Sequence, residues 1–305
     1  GENSHKVISE QIIEYVLRDM RHPDGGFYSA EDADSEGVEG KFYIWDYFEI
    51  FDHLDDDVAE LYCAVYDITP EGNFEGENIP NLIREPIDSF AAHNDLDPAE
   101  VRKQLEEARK VLFNVREERV HPHKDDKILT AWNGLMIAAL AKAGRVYNHH
   151  EALDAAKSAI QFIEQNLIVD GRVMVRYRDG EVKQEGFIDD YAYLLWAYIE
   201  LYETTFDLSY LKKAKTLTHQ MIELFWDKEN GGFYFYGEDN EELLIRPKDV
   251  YDGALPSGNS VATLQMLRLA RLTGEFSLED KVQNVFDAFG DDVIHYPMGH
   301  TYMLM

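Results

Sequence analysis

WNGLMIAALAKAGRVYNHHEALDAAKSAIQFIEQNL, residues Trp132 to Leu167, holds two helical patterns of opposite kinds. WNGLMIAALAKAGRVY is apolar almost all round, as expected of a helix enclosed by other helices. EALDAAKSAIQFIEQNL places Leu153, Ala156, Ile160, Ile163 and Leu167 at spacings of three and four, with Asp154, Lys157, Gln161 and Glu164 between them. That is a one-sided amphipathic helix. An enclosed helix followed by a one-sided one makes a hairpin of an inner and an outer helix. The alternation recurs: DDYAYLLWAYIELYE precedes YLKKAKTLTHQMIELFWD, and SVATLQMLRLARLTG precedes LEDKVQNVFDAF. From Asn133 to Asp190 to Asn259 the unit returns after 57 and 69 residues, and such periodicity signals a repeat or a closed array. The expected fold is therefore all-α, an α/α barrel or toroid of two concentric rings. Upstream, SEQIIEYVLRDM and DPAEVRKQLEEARKVLFNVRE read as further outer helices, the second capped at Asp97 with Pro98 in its first turn. Phe42 to Ile79 is ambiguous. No Ser/Gly-rich or low-complexity linker divides the chain, so residues 1–305 read as a single domain.

Bulk properties exclude several functions. The 305 residues carry 59 acids against 29 Lys and Arg, a net charge of −30. That surplus opposes binding to phosphate backbones and anionic lipid, so neither nucleic acid nor membrane is an expected partner. It favours cation uptake and solubility, and fits a salt-rich cytosol. No apolar run approaches the roughly 20 residues that span a bilayer, and GENSHKVISEQ lacks a signal-peptide core. A cytoplasmic location is expected. The single cysteine, Cys63 in ELYCAVY, excludes an internal disulfide, a CxxC redox pair and a multi-cysteine zinc site. No metal and no cofactor is expected. The Gly1 start and the MGHTYMLM end read as a fragment of a longer protein.

The phrase Gly-Gly-Phe-Tyr occurs twice, in HPDGGFYSAEDADSEG and in DKENGGFYFYGEDNEE. Each follows an outer helix and reads as a short inserted β-hairpin. A calcium loop counted from Asp32 finds Asp34, Glu36 and Gly37 in register but Tyr43 where a bidentate Glu should close the shell. A phrase used twice points to architecture. The first acidic tail is the longer, and Glu31 and Asp32 are expected to face a ligand from a hairpin rim.

Each inner helix opens with polar residues: TAWNG, GFIDDY and LPSGNS. Inner helices of a helical barrel run parallel, so their unpaired N–H groups and positive dipole ends should gather at one mouth suited to hydroxyls and carboxylates. Thr130, Asp189 and Ser257 read equally well as N-caps. With Asp189 as cap, Asp190 would project into the mouth, and repulsion between adjacent carboxylates there would raise one pKa toward the working range. Trp132, Asn133, Tyr191, Ser257 and Asn259 are candidate ligand contacts, the aromatic faces being suited to sugar rings. His123, two residues after His121 in a proline turn, is a candidate acid or base beside Asp189 and Asp190. There is no HExxH, nucleophile elbow or phosphate loop.

GGFYSAEDADSEG, DDKILTAWNGLMIAALA, GFIDDYAYLLWAYIELYETTFD and RPKDVYDGALPSGNSVA resemble the YyaL family of spermatogenesis-associated, thioredoxin-domain-containing proteins, from about Ile8 to His300. The resemblance implies a six-hairpin, glycosidase-like (α/α)6 barrel similar to N-acylglucosamine 2-epimerases, with an N-terminal thioredoxin-like domain as partner in the full-length protein. That domain and the first barrel helices, with the family's His-Phe-Glu-Lys-Met segment, are missing here. The expected function is a sugar-active barrel, an epimerase or isomerase moving a proton next to a sugar carbonyl. A glycoside hydrolase with paired carboxylates and a non-catalytic module serving the thioredoxin-like domain are the alternatives.

Overall fold

The computed structural model describes residues 2–240 and 246–305. In chain order the elements are α1 (Glu2–Asp19), β1 (Ala30–Glu31), β2 (Asp34–Ser35), β3 (Val38–Glu39), α2 (Tyr47–His53), α3 (Asp56–Val65), α4 (Ile87–His93), α5 (Pro98–Glu117), β4 (Lys124–Asp125), β5 (Ile128–Leu129), α6 (Thr130–Tyr147), α7 (His150–Asn166), β6 (Ile168–Val169), β7 (Arg172–Arg178), β8 (Glu181–Glu185), α8 (Ile188–Thr205), α9 (Leu208–Phe225), α10 (Gly258–Thr273) and α11 (Ser277–His295). They form two compact units: residues up to Ala30 with Asp126–Met305, and Glu31–Asp125. No linker-like composition marks either crossing between them.

In the larger unit the inner helices α6, α8 and α10 stand in a row with α8 in the middle, and α7, α9 and α11 pack on α6, α8 and α10 respectively. This is the inner and outer scheme that the hydrophobic periodicity predicts. The one-sided helices bury their apolar stripes, Ala156, Ile160 and Ile163 on α7 and Ala214, Leu217, Met221 and Phe225 on α9. The inner helices contribute Ile137 and Leu140, Leu194, Leu195 and Ile199, and Met266 and Leu269 to the same core. The row is tight because Gly134 lets α6 meet the α8 backbone: a Cβ there would stand 2.7 Å from the Tyr193 carbonyl carbon.

The doubled Gly-Gly-Phe-Tyr phrase is a clamp. The Asn133 side chain accepts from Phe27 N (2.8 Å) and donates to Phe27 O (2.9 Å) and Leu129 O (2.9 Å). Asn259 repeats this, accepting from Phe233 N (2.8 Å) and donating to Phe233 O (2.9 Å) and Asp249 O (2.8 Å). In both copies the phenylalanine also bridges a residue just after the outer helix, Arg21 to Phe27 and Trp226 to Phe233. The phrase is therefore a minimal antiparallel hairpin, one bridge pair in each copy, pinned by an inner-helix asparagine. Between α7 and α8 the chain forms an antiparallel sheet, β7 pairing with β5, β6 and β8.

The smaller unit packs α2, α3 and α4 with α5 around Ile50, Tyr62, Cys63, Val101, Leu105 and Leu112. The helix α5 starts at Asp97, whose side chain accepts from Ala99 N, with Pro98 in its first turn, as expected. The ambiguous stretch becomes α2 and α3. The acids Glu31 to Glu39 surround a real hairpin: β2 and β3 pair Asp34 with Glu39 and Ser35 with Val38. Glu36 and Gly37 both sit at positive φ, 52° and 76°, as a two-residue primed turn requires. Among the described residues no helix is long and apolar enough to cross a membrane.

Candidate functional site

The starts of α6, α8 and α10 are drawn together by the two consecutive aspartates. Asp190 is buried, and its carboxylate accepts from Phe187 N (2.8 Å), which precedes its own helix, and from Ala131 N (2.9 Å) at the start of α6. Asp189 lies against the start of α10, where the backbone N–H of Gly258 acts to pull its pKa down. Gly258 is glycine for a steric reason, since a Cβ would stand 2.4 Å from Asp189 Oδ1. Asp190 thus satisfies two N–H groups that helix starts leave without an intrahelical partner.

This reverses the roles expected of the pair. Phe187, not Asp189, precedes the first turn of α8, and Asp190 closes back on it from the third helical position. Both Asp190 oxygens hold backbone, so its carboxyl does not project into an open mouth. Asp189 is only partly buried and keeps acceptor capacity beyond Gly258. Burial pushes Asp190 up to about 7, against the backbone bonds from Phe187 and Ala131 that pull it down. Burial also pushes Asp189 up to about 6, and the carboxylate of Asp249 adds to the rise. Their mutual repulsion, the cause expected from sequence, is a lesser contribution that bears on Asp190.

The remaining candidates separate by environment. Trp132, 44% exposed, stands next to Ala131 on α6. Ser257 caps α10, its Oγ accepting from Ser260 N (3.1 Å). Thr130 does not cap α6; it is the first helical residue and donates to Met174 O (2.6 Å). Asn133 and Asn259 spend both amide hydrogens on loop backbone. Tyr191 is fully buried, with its hydroxyl accepting from Arg172 Nη1 (2.8 Å) and Val173 N (3.2 Å). These three positions hold the scaffold, because a side chain whose polar hydrogens or lone pairs are already engaged in the core has little left for a ligand.

Glu31, Asp32 and His123 belong to the smaller unit. Glu31 pairs with Lys124 (3.7 Å) and accepts from Tyr43 OH (3.3 Å). Asp32 Oδ1 accepts from Asp34 N (3.1 Å), and its own N–H donates to His123 O (2.8 Å). The imidazole of His123 is exposed.

Sequence reasoning missed two features. Asp249 and Asp252 lie in the loop before α10, and Asp252 accepts from Ser257 N (2.9 Å), Tyr302 N (2.8 Å) and Met303 N (3.1 Å). Further along α8, Glu200 is buried between Arg145 of α6 (3.0 Å) and Arg268 of α10 (2.9 Å), with Glu203 paired to the same two arginines. Trp196 Nε1 donates to Glu200 (3.3 Å). Asp189, Tyr193, Trp196, Glu200 and Glu203 recur at spacings of four and three, one face of a helix. That stripe was readable in a segment that otherwise looks apolar all round.

No protein-family model matches the chain. The chain is similar along its whole length to spermatogenesis-associated protein 20 of Homo sapiens, with 31% identity over 340 residues, covering 100% of this chain and 43% of the relative. An uncharacterised protein of Caenorhabditis elegans is 33% identical over 312 residues, covering 92% of this chain and 42% of that one. The chain thus spans less than half the length of these curated relatives. Among solved structures, a cellobiose 2-epimerase from Bacillus thermoamylovorans B4167 aligns with a TM-score of 0.49 at 14% identity, over 94% of this chain and 72% of that chain. A glycoside hydrolase from family 105 of C. acetobutylicum ATCC 824 aligns with a TM-score of 0.46 at 14% identity, over 93% of this chain and 73% of that chain.

Proposed function

We propose that the larger unit binds a sugar-like small molecule where α6, α8 and α10 begin, and that Asp189 moves a proton there, as an epimerase or isomerase does next to a sugar carbonyl. The observation that carries this reading is the asymmetry of the aspartate pair: Asp190 is consumed by two backbone N–H groups, whereas Asp189 is partly open and pushed up to about 6. A carboxyl with that pKa populates both protonation states near neutrality, which a general acid or base requires. Trp132 supplies an exposed aromatic face in the first turn of α6, suited to the apolar face of a sugar ring. The helix starts add N–H groups and dipoles that favour ligand hydroxyls and developing negative charge.

Asp249 favours a second reading. Its carboxylate acts on Asp189 through space, and two carboxyl groups are what a glycoside hydrolase uses. The family resemblance further supports a thioredoxin-like domain as the partner within the longer protein, whose activity and substrates are part of the same proposal.

The test is a screen of free and N-acetylated sugars and their glycosides, with products resolved by stereochemistry. Epimerised or isomerised free sugar, lost in Asp189→Asn, supports the leading reading. Release of a free reducing end, lost in Asp189→Asn and Asp249→Asn alike, supports the hydrolase. Turnover that survives Asp189→Asn sinks both.

A further inference from the structure

The surplus of negative charge is unevenly placed. Residues 31–125 hold 26 of the 59 acids but nine of the 29 Lys and Arg. The smaller unit therefore carries more than half of the net charge on less than a third of the chain.

Its bases are already engaged within the unit. Lys41 pairs with Glu36, Arg84 with Asp67, Arg102 with Asp88, Arg109 and Lys110 with Glu106, Arg116 with Glu117, Arg119 with Glu49 and Lys124 with Glu31. The acids left over stand at the surface, among them Asp55, Asp56 and Asp57 before and in the first turn of α3, and Glu71 and Glu75 in the following loop. Among the unit's nine Lys and Arg, Lys103 alone stands outside these pairs. Like charges at this density repel over a Debye length of about 10 Å at 0.1 M salt and about 3 Å at 1 M, and such self-repulsion works against the compact state.

Against that repulsion stands a small core: Trp45, Ile50, Ala59, Tyr62, Cys63, Val65, Ile68, Ala91 and four positions of α5. Arg119 carries much of the cross-linking, with its guanidinium on the carbonyls of Phe42 (3.0 Å) and Ile44 (2.7 Å), on Glu49 (2.9 Å) and over the Trp45 ring (4.0 Å).

We propose that the smaller unit is a salt-responsive module: it closes when monovalent cations screen its surface and opens at low ionic strength, independently of whatever ligand the larger unit takes. Screening also weakens the exposed ion pairs, yet each of these is worth little, and the uncompensated charges outnumber them. The sign is therefore stabilisation by salt.

The chain contains its own reporter. Cys63, its single cysteine, is buried in this core at 4% exposure, out of reach of thiol reagents while the unit is closed, and burial also pushes its thiol up to about 11. Labelling of the whole chain by N-ethylmaleimide, a neutral reagent, would be followed at fixed pH from 50 mM to 2 M KCl. Each rate is normalised to the denatured chain at the same salt. The expected result is labelling at least about tenfold faster at 50 mM than at 2 M, since ten to one in the open population follows from a modest change in repulsion.

A second variant separates screening from general salting-out of apolar surface. Asp52→Asn, Glu60→Gln, Glu71→Gln and Glu107→Gln together neutralise four exposed acids that make no ion pair among the described residues. This variant should label more slowly than wild type at 50 mM and narrow the ratio between the two salts. A wild-type ratio near one overturns the proposal, and so does a variant that keeps the wild-type ratio.

Discussion

Adjacent residues Asp189 and Asp190 look interchangeable in sequence and hold different partners in the fold. Asp190 ties α8 to α6 through Ala131 N and closes its own first turn through Phe187 N. Losing it leaves two buried donors without partners, so Asp190→Ala should destabilise by about 2–4 kcal/mol in denaturant titrations. Asp189→Asn should cost under about 1 kcal/mol while removing any response to sugar. The pH dependence follows from the raised values. A carboxyl whose folded pKa lies above its unfolded one, near 3.8 for Asp, contributes stability that is full below about pH 4 and lost as pH rises through about 6 for Asp189 and about 7 for Asp190. The larger unit should therefore be more stable at pH 5 than at pH 8. Asp190→Asn should flatten that slope, which distinguishes the residue's own titration from relief of the overall charge; a slope unchanged by the substitution would place the effect elsewhere. Asn133 and Asn259 make a matched pair at this scale. Each clamps one phenylalanine backbone, and either Asn→Ala change should cost about 2–4 kcal/mol by thermal melting.

At the scale of elements, the inner row depends on how closely helix axes approach. Gly134 in the second turn of α6 is unfavourable for an isolated helix by about 1 kcal/mol relative to Ala. Gly134→Ala would gain that propensity and place a Cβ within 3 Å of the Tyr193 and Leu194 backbone. Backbone cannot yield as a flexible side chain can, so the net result should be destabilisation by about 1–3 kcal/mol. A more stable variant would mean that α6 and α8 separate without penalty. Element type was legible wherever hydrophobic periodicity ran for four turns, as in α7 and α9, because burial of one face is written directly into residue spacing. It was less legible for the capping positions. Asp189 and Thr130 both have the residue types that cap helices, yet the first turns begin after Phe187 and Leu129. What decided this was a neighbour far along the chain, Ala131 for α8 and Met174 for α6, and no local pattern records such partners. The Asn clamps were equally hidden, although the doubled Gly-Gly-Phe-Tyr phrase correctly signalled architecture.

For the whole molecule, the sequence reads as continuous while contacts divide it at Ala30 and Asp126. An outer helix, a Gly-Gly-Phe-Tyr bridge and an inner helix follow one another twice, as α1, Phe27 and α6 and as α9, Phe233 and α10. In the first copy the smaller unit is inserted between bridge and inner helix. An insertion that begins and ends inside one connection needs no linker. The functional account rests on Asp189 as the proton-transferring group at the starts of the inner helices, and solvent exchange tests it most directly. The protein would be incubated with free aldoses in deuterated water, and loss of the C2 proton signal followed by NMR. The account predicts enzyme-dependent deuterium entry at C2 that Asp189→Asn abolishes at unchanged melting temperature. Exchange that persists in Asp189→Asn, or no exchange with any sugar that the protein binds, would contradict it.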